Sequence, residues 1–377
     1  MSAWQDKFVI GLTGNIATGK SVVRKMLEHL GAYGIDADAL GRRAIAEDAP
    51  GYEPVVDTFG KWIVAPDGQI DRAKLARVVF SDPQALTRLE SIVHPLVGQA
   101  VDLLMRRSVH KVVVVEAIKL LESGLGAACD SIWVTVAPEK IQLTRLVRKR
   151  GMAQADAWQR IKSQPPQQDK VAAAHVIINN DGGFEQIWEQ VEAAWQETVA
   201  SPGAAQIEPQ AAPENGFLVG RARLQQAKEI ADFATDHSRG RRRMTEADVV
   251  AAFSEKAFLV LRKDGKLVGM VGWQVENLVA RTSDVYLDGS VYLEKGMSLL
   301  ISEVERASHE LQCEVSLLFI PPSLARHEAV WRNLHYEPRT IQNLKVRAWQ
   351  EAAEESMPKG TLLLFKQLRK DRVLRPV

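Results

Sequence analysis

The chain has 377 residues, 46% hydrophobic and 25% charged, with 48 Lys and Arg against 47 Asp and Glu. Its length predicts two folding units, and its composition is that of ordinary globular protein, which excludes fibrous and disordered classes. The balanced charge gives no global basic field for nucleic acid or an anionic membrane, so the expected partner is a small-molecule substrate, with neither nucleic acid nor membrane.

Cys129 and Cys313 lie far apart and lack the spacing of a metal or redox pair, so both are expected to be buried, reduced and structural. Met1 to Lys7 is short and polar, unlike a signal peptide, and no apolar run reaches membrane-spanning length. A cytoplasmic location is expected. The sequence sets no oligomeric state.

From Phe8 onward, short apolar runs alternate with helical periods. Phe8 to Leu12 predicts a strand, Ser21 to Leu30 a helix and Tyr33 to Ile35 a second strand. Lys111 to Val115, Ile132 to Val136 and Val176 to Ile178 predict three more strands. A basic helix ends near Gly151, and a last helix runs from Phe184 to Val199. This alternation predicts an α/β domain with a parallel sheet.

Between the first strand and the first helix lies Gly14-Asn15-Ile16-Ala17-Thr18-Gly19-Lys20-Ser21, a full phosphate-binding loop in the setting it needs. Backbone N–H groups and the positive helix end converge there on one anionic site, and Val22 continues the helix. Lys20 would reach the β and γ phosphates of ATP, and the Ser21 hydroxyl would help hold Mg²⁺. The loop alone leaves a hydrolase, a switch and a kinase all open.

The next strand ends in Gly34-Ile35-Asp36-Ala37-Asp38. A carboxylate here can accept a hydroxyl proton during phosphoryl transfer, and a carboxylate can equally cap the following helix. One cap and one functional acid are expected from Asp36 and Asp38.

The ordered set Gly11 to Ser21, Asp36 to Asp38 and Arg42 resembles the dephospho-CoA kinases. The resemblance continues through His94-Pro95-Leu96 at an expected turn, Glu116, Leu120-Leu121-Glu122, Arg160-Ile161, Gln164, Pro166 and Lys170. It closes at Asn180 and Gly182, covering about residues 7 to 200. It implies a P-loop kinase-type domain that moves the ATP γ-phosphoryl group to the ribose 3′-hydroxyl of dephospho-CoA, with Mg²⁺. It further implies a parallel sheet with helices on both faces.

By that resemblance Asp38 is the base and Asp36 supports it. Arg42, His94, Glu116 and Lys119 fall on the acceptor side, while Arg145, Arg148, Lys149 and Arg150 fall in a lid segment. The sequence departs from the family pattern at Asn15 and Ala17, where glycine is usual. Departures also occur at Glu116, Ile118 and Lys119, where Asp, Pro and Leu are usual, and at Lys149, Arg150 and His175. A P-loop kinase acting on another nucleoside or nucleotide, joined to a non-catalytic interaction domain, is the alternative.

Ala200 to Asn215 carries three prolines and almost no large apolar residue, which reads as a linker. The expected division is therefore residues 1–200, a linker at 201–215 and a second domain at 216–377. That second domain predicts a strand at Phe217 to Ala222, helices to about Phe253, a hairpin from Phe258 to Val275 turning at Asp264-Gly265, and a strand near Asp284 to Leu287. A helix from about Lys295 and a helix-strand-helix-strand tail complete an α+β unit.

This order resembles the GNAT-type N-acyltransferases. The resemblance implies a coenzyme A or acetyl-CoA site at Leu293-Glu294-Lys295-Gly296-Met297-Ser298, where only Gly296 matches the pyrophosphate pattern fully. Acyl transfer and simple binding both remain open readings. His335 stands where the family has glycine, and Tyr336 is read as core as readily as a general acid. Asp284, Tyr286 and Asp288 receive no assigned role. Arg239-Gly240-Arg241-Arg242-Arg243 is expected to be a solvated loop, and Lys366 to Val377 a solvated tail.

Overall fold

The structure is a computed structural model, and it describes residues 4, 6–199, 216–238 and 243–374, with Lys149 and Arg150 described by backbone alone. The expected linker and four residues of the basic run, 239–242, lie outside the described residues. The chain divides into two compact units, residues 1–204 with 371–377, and residues 205–370.

The first unit runs β1 (Phe8–Thr13), α1 (Lys20–His29), β2 (Tyr33–Asp36), α2 (Ala37–Ala44), α3 (Tyr52–Phe59), α4 (Arg72–Ser81), α5 (Pro83–Arg107) and β3 (Val112–Glu116). It continues with β4 (Ser131–Val136), α6 (Glu139–Arg150), α7 (Gln154–Lys162), α8 (Gln167–Ala172), β5 (Val176–Asn179) and α9 (Phe184–Thr198). Among the described residues these strands form a five-stranded sheet in the order β2-β3-β1-β4-β5. Each neighbouring pair is parallel.

A parallel sheet covered on both faces selects continuous apolar strands rather than alternating ones. Val112-Val113-Val114-Val115-Glu116 is buried throughout. On one face Ile10, Leu12, Val112, Val114 and Trp133 pack with Val23, Met26 and Leu27 of α1 and Ile187, Val191 and Ala194 of α9. Each such fully buried large side chain contributes about 1.5–3 kcal/mol. On the other side α2 meets β3, and the long α5 packs along α2.

Two satellites flank this core. Val55, Val56, Ile63, Ile70, Leu75 and Val79 cluster beneath α3, α4 and the start of α5. Ile16 of the phosphate loop joins Leu146, Ala157 and Ile161 of α6 and α7.

The expected turn at His94-Pro95 is a correction: both lie inside the continuous helix α5. Proline forfeits one helical hydrogen bond. Burial of Val97, Ala100, Val101, Leu104 and Met105 carries the helix onward past it. Cys313 is buried as expected, but Cys129 is only partly buried, its thiol pushed up to about 12 by burial and by Asp130.

The second unit contains β6 (Phe217–Arg221), α10 (Ala227–His237), α11 (Glu246–Ala252), β7 (Ala257–Lys263), β8 (Lys266–Glu276), β9 (Val279–Leu287) and α12 (Leu293–Glu310). It ends with β10 (Val315–Ile320), α13 (Pro322–Ala325), α14 (Glu328–Asn333), β11 (Glu337–Arg339), α15 (Arg347–Ser356) and β12 (Leu362–Gln367). Its seven-stranded sheet has the order β11-β12-β10-β9-β8-β7-β6. The pair β9–β10 is parallel, and the other neighbours are antiparallel.

Strand β9 begins at Val279, five residues before its expected start. Asn277 and Leu278 both take positive φ, 52° and 62°, which makes a tight two-residue hairpin turn. The register then shifts opposite Met270 and Gly272, where Asp284 also has positive φ.

The charged tail is also corrected. Lys366 belongs to β12 and pairs with Glu305 at 2.7 Å. Residues 371–374 belong to the first unit, where Asp371 meets Arg107 at 2.6 Å and Val373 and Leu374 are buried. The second unit thus ends at Lys370 rather than Val377.

Candidate functional site

Strand β1 delivers the phosphate loop to the carboxyl edge of the parallel sheet, where open α/β folds bind ligands. Gly19 is the residue before α1 and has φ 96°. A Cβ there would sit 1.7 Å from Asn180 Nδ2, so glycine is needed for both backbone and space. Ala17 also adopts a left-handed φ, 58°, without being glycine. Its carbonyl accepts from Arg145 Nη1 at 3.1 Å, and Arg145 Nη2 donates to Asn180 Oδ1 at 2.6 Å.

The loop is braced from three further sides. Ile16 N–H donates to Gln164 Oε1 at 2.7 Å, and Asn15 Nδ2 donates to the Pro165 carbonyl at 3.0 Å. The hydroxyls of Thr18 and Thr135 share a hydrogen bond at 2.7 Å. Asn15 Oδ1 is buried and has no hydrogen-bond partner among the described residues.

Lys20 is buried, and its Nζ donates to the carbonyls of Gly14 at 3.0 Å and Asn15 at 3.2 Å. Ser21 Oγ donates to Glu116 Oε1 at 2.9 Å. The other Glu116 oxygen accepts from Arg24 Nε at 2.6 Å, and Arg24 Nη1 pairs with Glu28 at 2.6 Å.

The structure separates the two carboxylates. Asp36 is the N-cap of α2, accepting from Ala39 N–H at 2.7 Å. Asp38 lies in the first turn and accepts from Ile118 N–H at 3.1 Å. Burial raises Asp38 above the ordinary carboxylate range, against the opposing pull of Lys20 and the Ile118 N–H. Burial and then the charge of Glu116 push Asp36 up to about 6, although Arg24 opposes them.

A raised acid stabilises the fold in its neutral form. Asp36 therefore contributes fully below about pH 4 and loses that contribution as pH rises through the folded value. Asn caps as well as Asp but carries no charge. The urea midpoint of Asp36→Asn is expected to vary less with pH than that of the parent between about pH 4 and about pH 7. Parallel pH profiles would contradict the assignment.

Lys20, Ser21, Asp36, Asp38 and Glu116 thus come together at one sheet edge. Arg42 is exposed one turn after Asp38, close enough to both aspartates to favour their charged forms. Lys119 pairs with Glu90 of α5, one turn before the half-buried His94. Lys170 donates to the Ile118 carbonyl. Arg145 reaches the loop whereas Arg148 is exposed, and the side chain of Lys149 lies outside the described residues. Sequence reasoning missed Arg24, Glu28 and Thr135. A charged residue inside a helix reads as solvated unless its buried partner on a distant strand is known.

In the second unit Gly296 is accounted for by packing, since a Cβ there would lie 2.6 Å from Leu287 Cδ1. Asp284 is tied to Lys256 at 2.7 Å, and Asp288 to His237 at 3.0 Å. The Tyr336 hydroxyl is buried and donates to Ser316 Oγ at 2.8 Å, and burial holds its pKa far above the ordinary value. His335 takes φ 62° at the glycine-like position.

The family model "dephospho-CoA kinase" matches residues 8–186. A dephospho-CoA kinase of Geobacter metallireducens is 41% identical over 194 residues, spanning 51% of this chain and 96% of the relative. The solved structure of TT1252 from Thermus thermophilus matches 51% of this chain and 98% of its own, with 31% identity and a TM-score of 0.47. A GNAT-family acetyltransferase from Staphylococcus aureus matches 41% of this chain and 99% of its own, with 12% identity and a TM-score of 0.33. Spanning nearly the whole length of its Geobacter relative at that identity, the chain belongs to the dephospho-CoA kinase family.

Proposed function

We propose that the first unit transfers the γ-phosphoryl group of ATP to the ribose 3′-hydroxyl of dephospho-CoA, giving coenzyme A and ADP. The observation that carries this reading is one sheet edge holding both halves of the chemistry: the buried Lys20 and the phosphate loop on one side, and the half-buried Asp38 on the other. The loop suits a nucleoside triphosphate because it turns through the positive-φ residues Ala17 and Gly19 into the N-terminus of α1 beside a buried lysine, where backbone N–H groups gather. Ser21 offers a hard oxygen donor of the kind Mg²⁺ accepts, and Glu116 takes up its hydroxyl proton.

In this reading Lys20 exchanges the carbonyls of Gly14 and Asn15 for the β and γ phosphates. Mg²⁺, when bound, neutralises charge on the phosphate oxygens. Asp38 accepts the proton of the attacking hydroxyl, its raised pKa making it a better base than an exposed aspartate. Asp36 holds the start of α2 and so positions Asp38. Arg42, His94 and Lys119 orient the acceptor. Arg145, with Arg148 and Lys149, closes over the phosphates and excludes water. A cytoplasmic location agrees with this chemistry, and no helix among the described residues is long and apolar enough to cross a membrane.

Coupled ADP release measures the acceptor directly. Turnover is expected with dephospho-CoA and is expected to be far slower with adenosine or nucleoside monophosphates. Equal rates with all acceptors would favour the alternative nucleoside or nucleotide kinase.

For the second unit we propose coenzyme A or acetyl-CoA binding rather than acyl transfer. The order of elements, β6, α10 and α11, the β7–β8 hairpin, β9 and then α12, is that of the GNAT resemblance. Pairing of β9 with β10 stops at Thr282–Leu318, although both strands run on past it, to Leu287 and Ile320. The groups that could act as base or acid, Asp284, Asp288 and Tyr336, are already engaged. Calorimetry on the full chain is expected to show acetyl-CoA binding that Ser298→Tyr weakens while the kinase rate is unchanged. Identical isotherms for the two proteins would sink this reading in favour of an interaction domain.

A further inference from the structure

Glu116 is 4% exposed, and a carboxylate so buried requires a charged or hydrogen-bonding partner. It has Ser21 on one oxygen and Arg24 on the other. Arg24 is itself 4% exposed and spends its planar fork on two acids at once, Nε on Glu116 and Nη1 on Glu28. Burial alone would lower the pKa of Arg24, but Glu28 and Glu116 outweigh it, so the guanidinium stays charged. Glu28 is fixed in turn by Lys25 at 2.8 Å. Gly34 makes room for it, because a Cβ there would lie 2.0 Å from Glu28 Oε1.

The consequence falls on the hydroxyl of Ser21. It donates its one proton to Glu116, which leaves both oxygen lone pairs for a cation. The direction of those lone pairs follows the Glu116 carboxylate, and that carboxylate follows Arg24. We infer that Arg24 is a positioning residue: through Glu116 it aims the Ser21 oxygen at the nucleotide-bound metal. The inference rests on the proposed reading of Ser21 as a metal ligand. A lysine at this position would keep the charge but could not engage both acids in the same fork.

The test uses the full chain and titrates ATP in EDTA and ATP with Mn²⁺ by calorimetry, with Mn²⁺ electron paramagnetic resonance as a second readout. Arg24→Met is expected to weaken Mn²⁺·ATP about tenfold while metal-free ATP stays within about twofold, the size of losing one charge-assisted hydrogen bond. Arg24→Lys is expected to recover only part of that loss. Glu28→Gln, which loosens Arg24 without touching Glu116, is expected to show a smaller loss in the same direction.

Wild-type Mn²⁺·ATP affinity in Arg24→Met, or equal losses with and without metal, would overturn the inference. If Arg24→Met lacks a native near-ultraviolet circular dichroism spectrum, Arg24→Lys and Glu28→Gln decide by the same criterion. Ser21→Ala is the separate control. If it leaves the metal-dependent part of the affinity intact, the reading of Ser21 fails and the inference falls with it. If Ser21→Ala removes that part and the Arg24 variants do not, only the inference fails.

Discussion

Lys20→Met is expected to lower kcat by about 10²–10³-fold, the range found when one preorganised donor to developing charge is removed. The lysine is buried at the head of α1, and its ammonium is stored on the loop's own carbonyls. Phosphate oxygens would replace those carbonyls without any large rearrangement of the chain. Methionine keeps the apolar stem, so the fold should persist while the charge is lost. Single-turnover ADP formation with saturating ATP separates this loss from weaker binding. A kcat within a few-fold of wild type in a folded protein would remove Lys20 from the chemistry.

Asp38→Asn is expected to lower kcat by about 10²–10⁴-fold, the usual contribution of a general base. Its KM for ATP should change far less than kcat, because Asp38 is placed to take the acceptor proton rather than to bind the phosphates. Asn can still accept from the Ile118 N–H, so the local geometry should survive. Because burial raises Asp38, the acid limb of kcat in the parent should lie above the ordinary aspartate range and vanish in the variant. An unchanged pH profile in Asp38→Asn would assign the proton to another group.

The parallel sheet was legible where burial on both faces writes an unbroken apolar run, as at Val112 to Val115. The phosphate loop was legible because its spacing is fixed by backbone geometry. The Asn277-Leu278 turn was not, since leucine seldom occupies a left-handed conformation and gives no turn signal. Pro95 misled for the opposite reason: a strong local breaker is overridden by the packing of α5.

The site was half legible for a related reason. Asp36 and Asp38 were visible as a pair, but which one caps α2 depends on hydrogen bonds to Ala39 and Ile118 that no local pattern encodes. Arg24 and Glu116 stand 92 residues apart in sequence. Their contact exists only because α1 packs back along β3.

Phosphorus NMR of the reaction product tests the proposed transfer most directly. Incubation of the full chain with ATP, Mg²⁺ and dephospho-CoA is expected to yield a new phosphomonoester resonance coupled to the ribose 3′ proton, matched by ADP. Release of inorganic phosphate with no new ester, or an ester at another position, would contradict the assignment of the site.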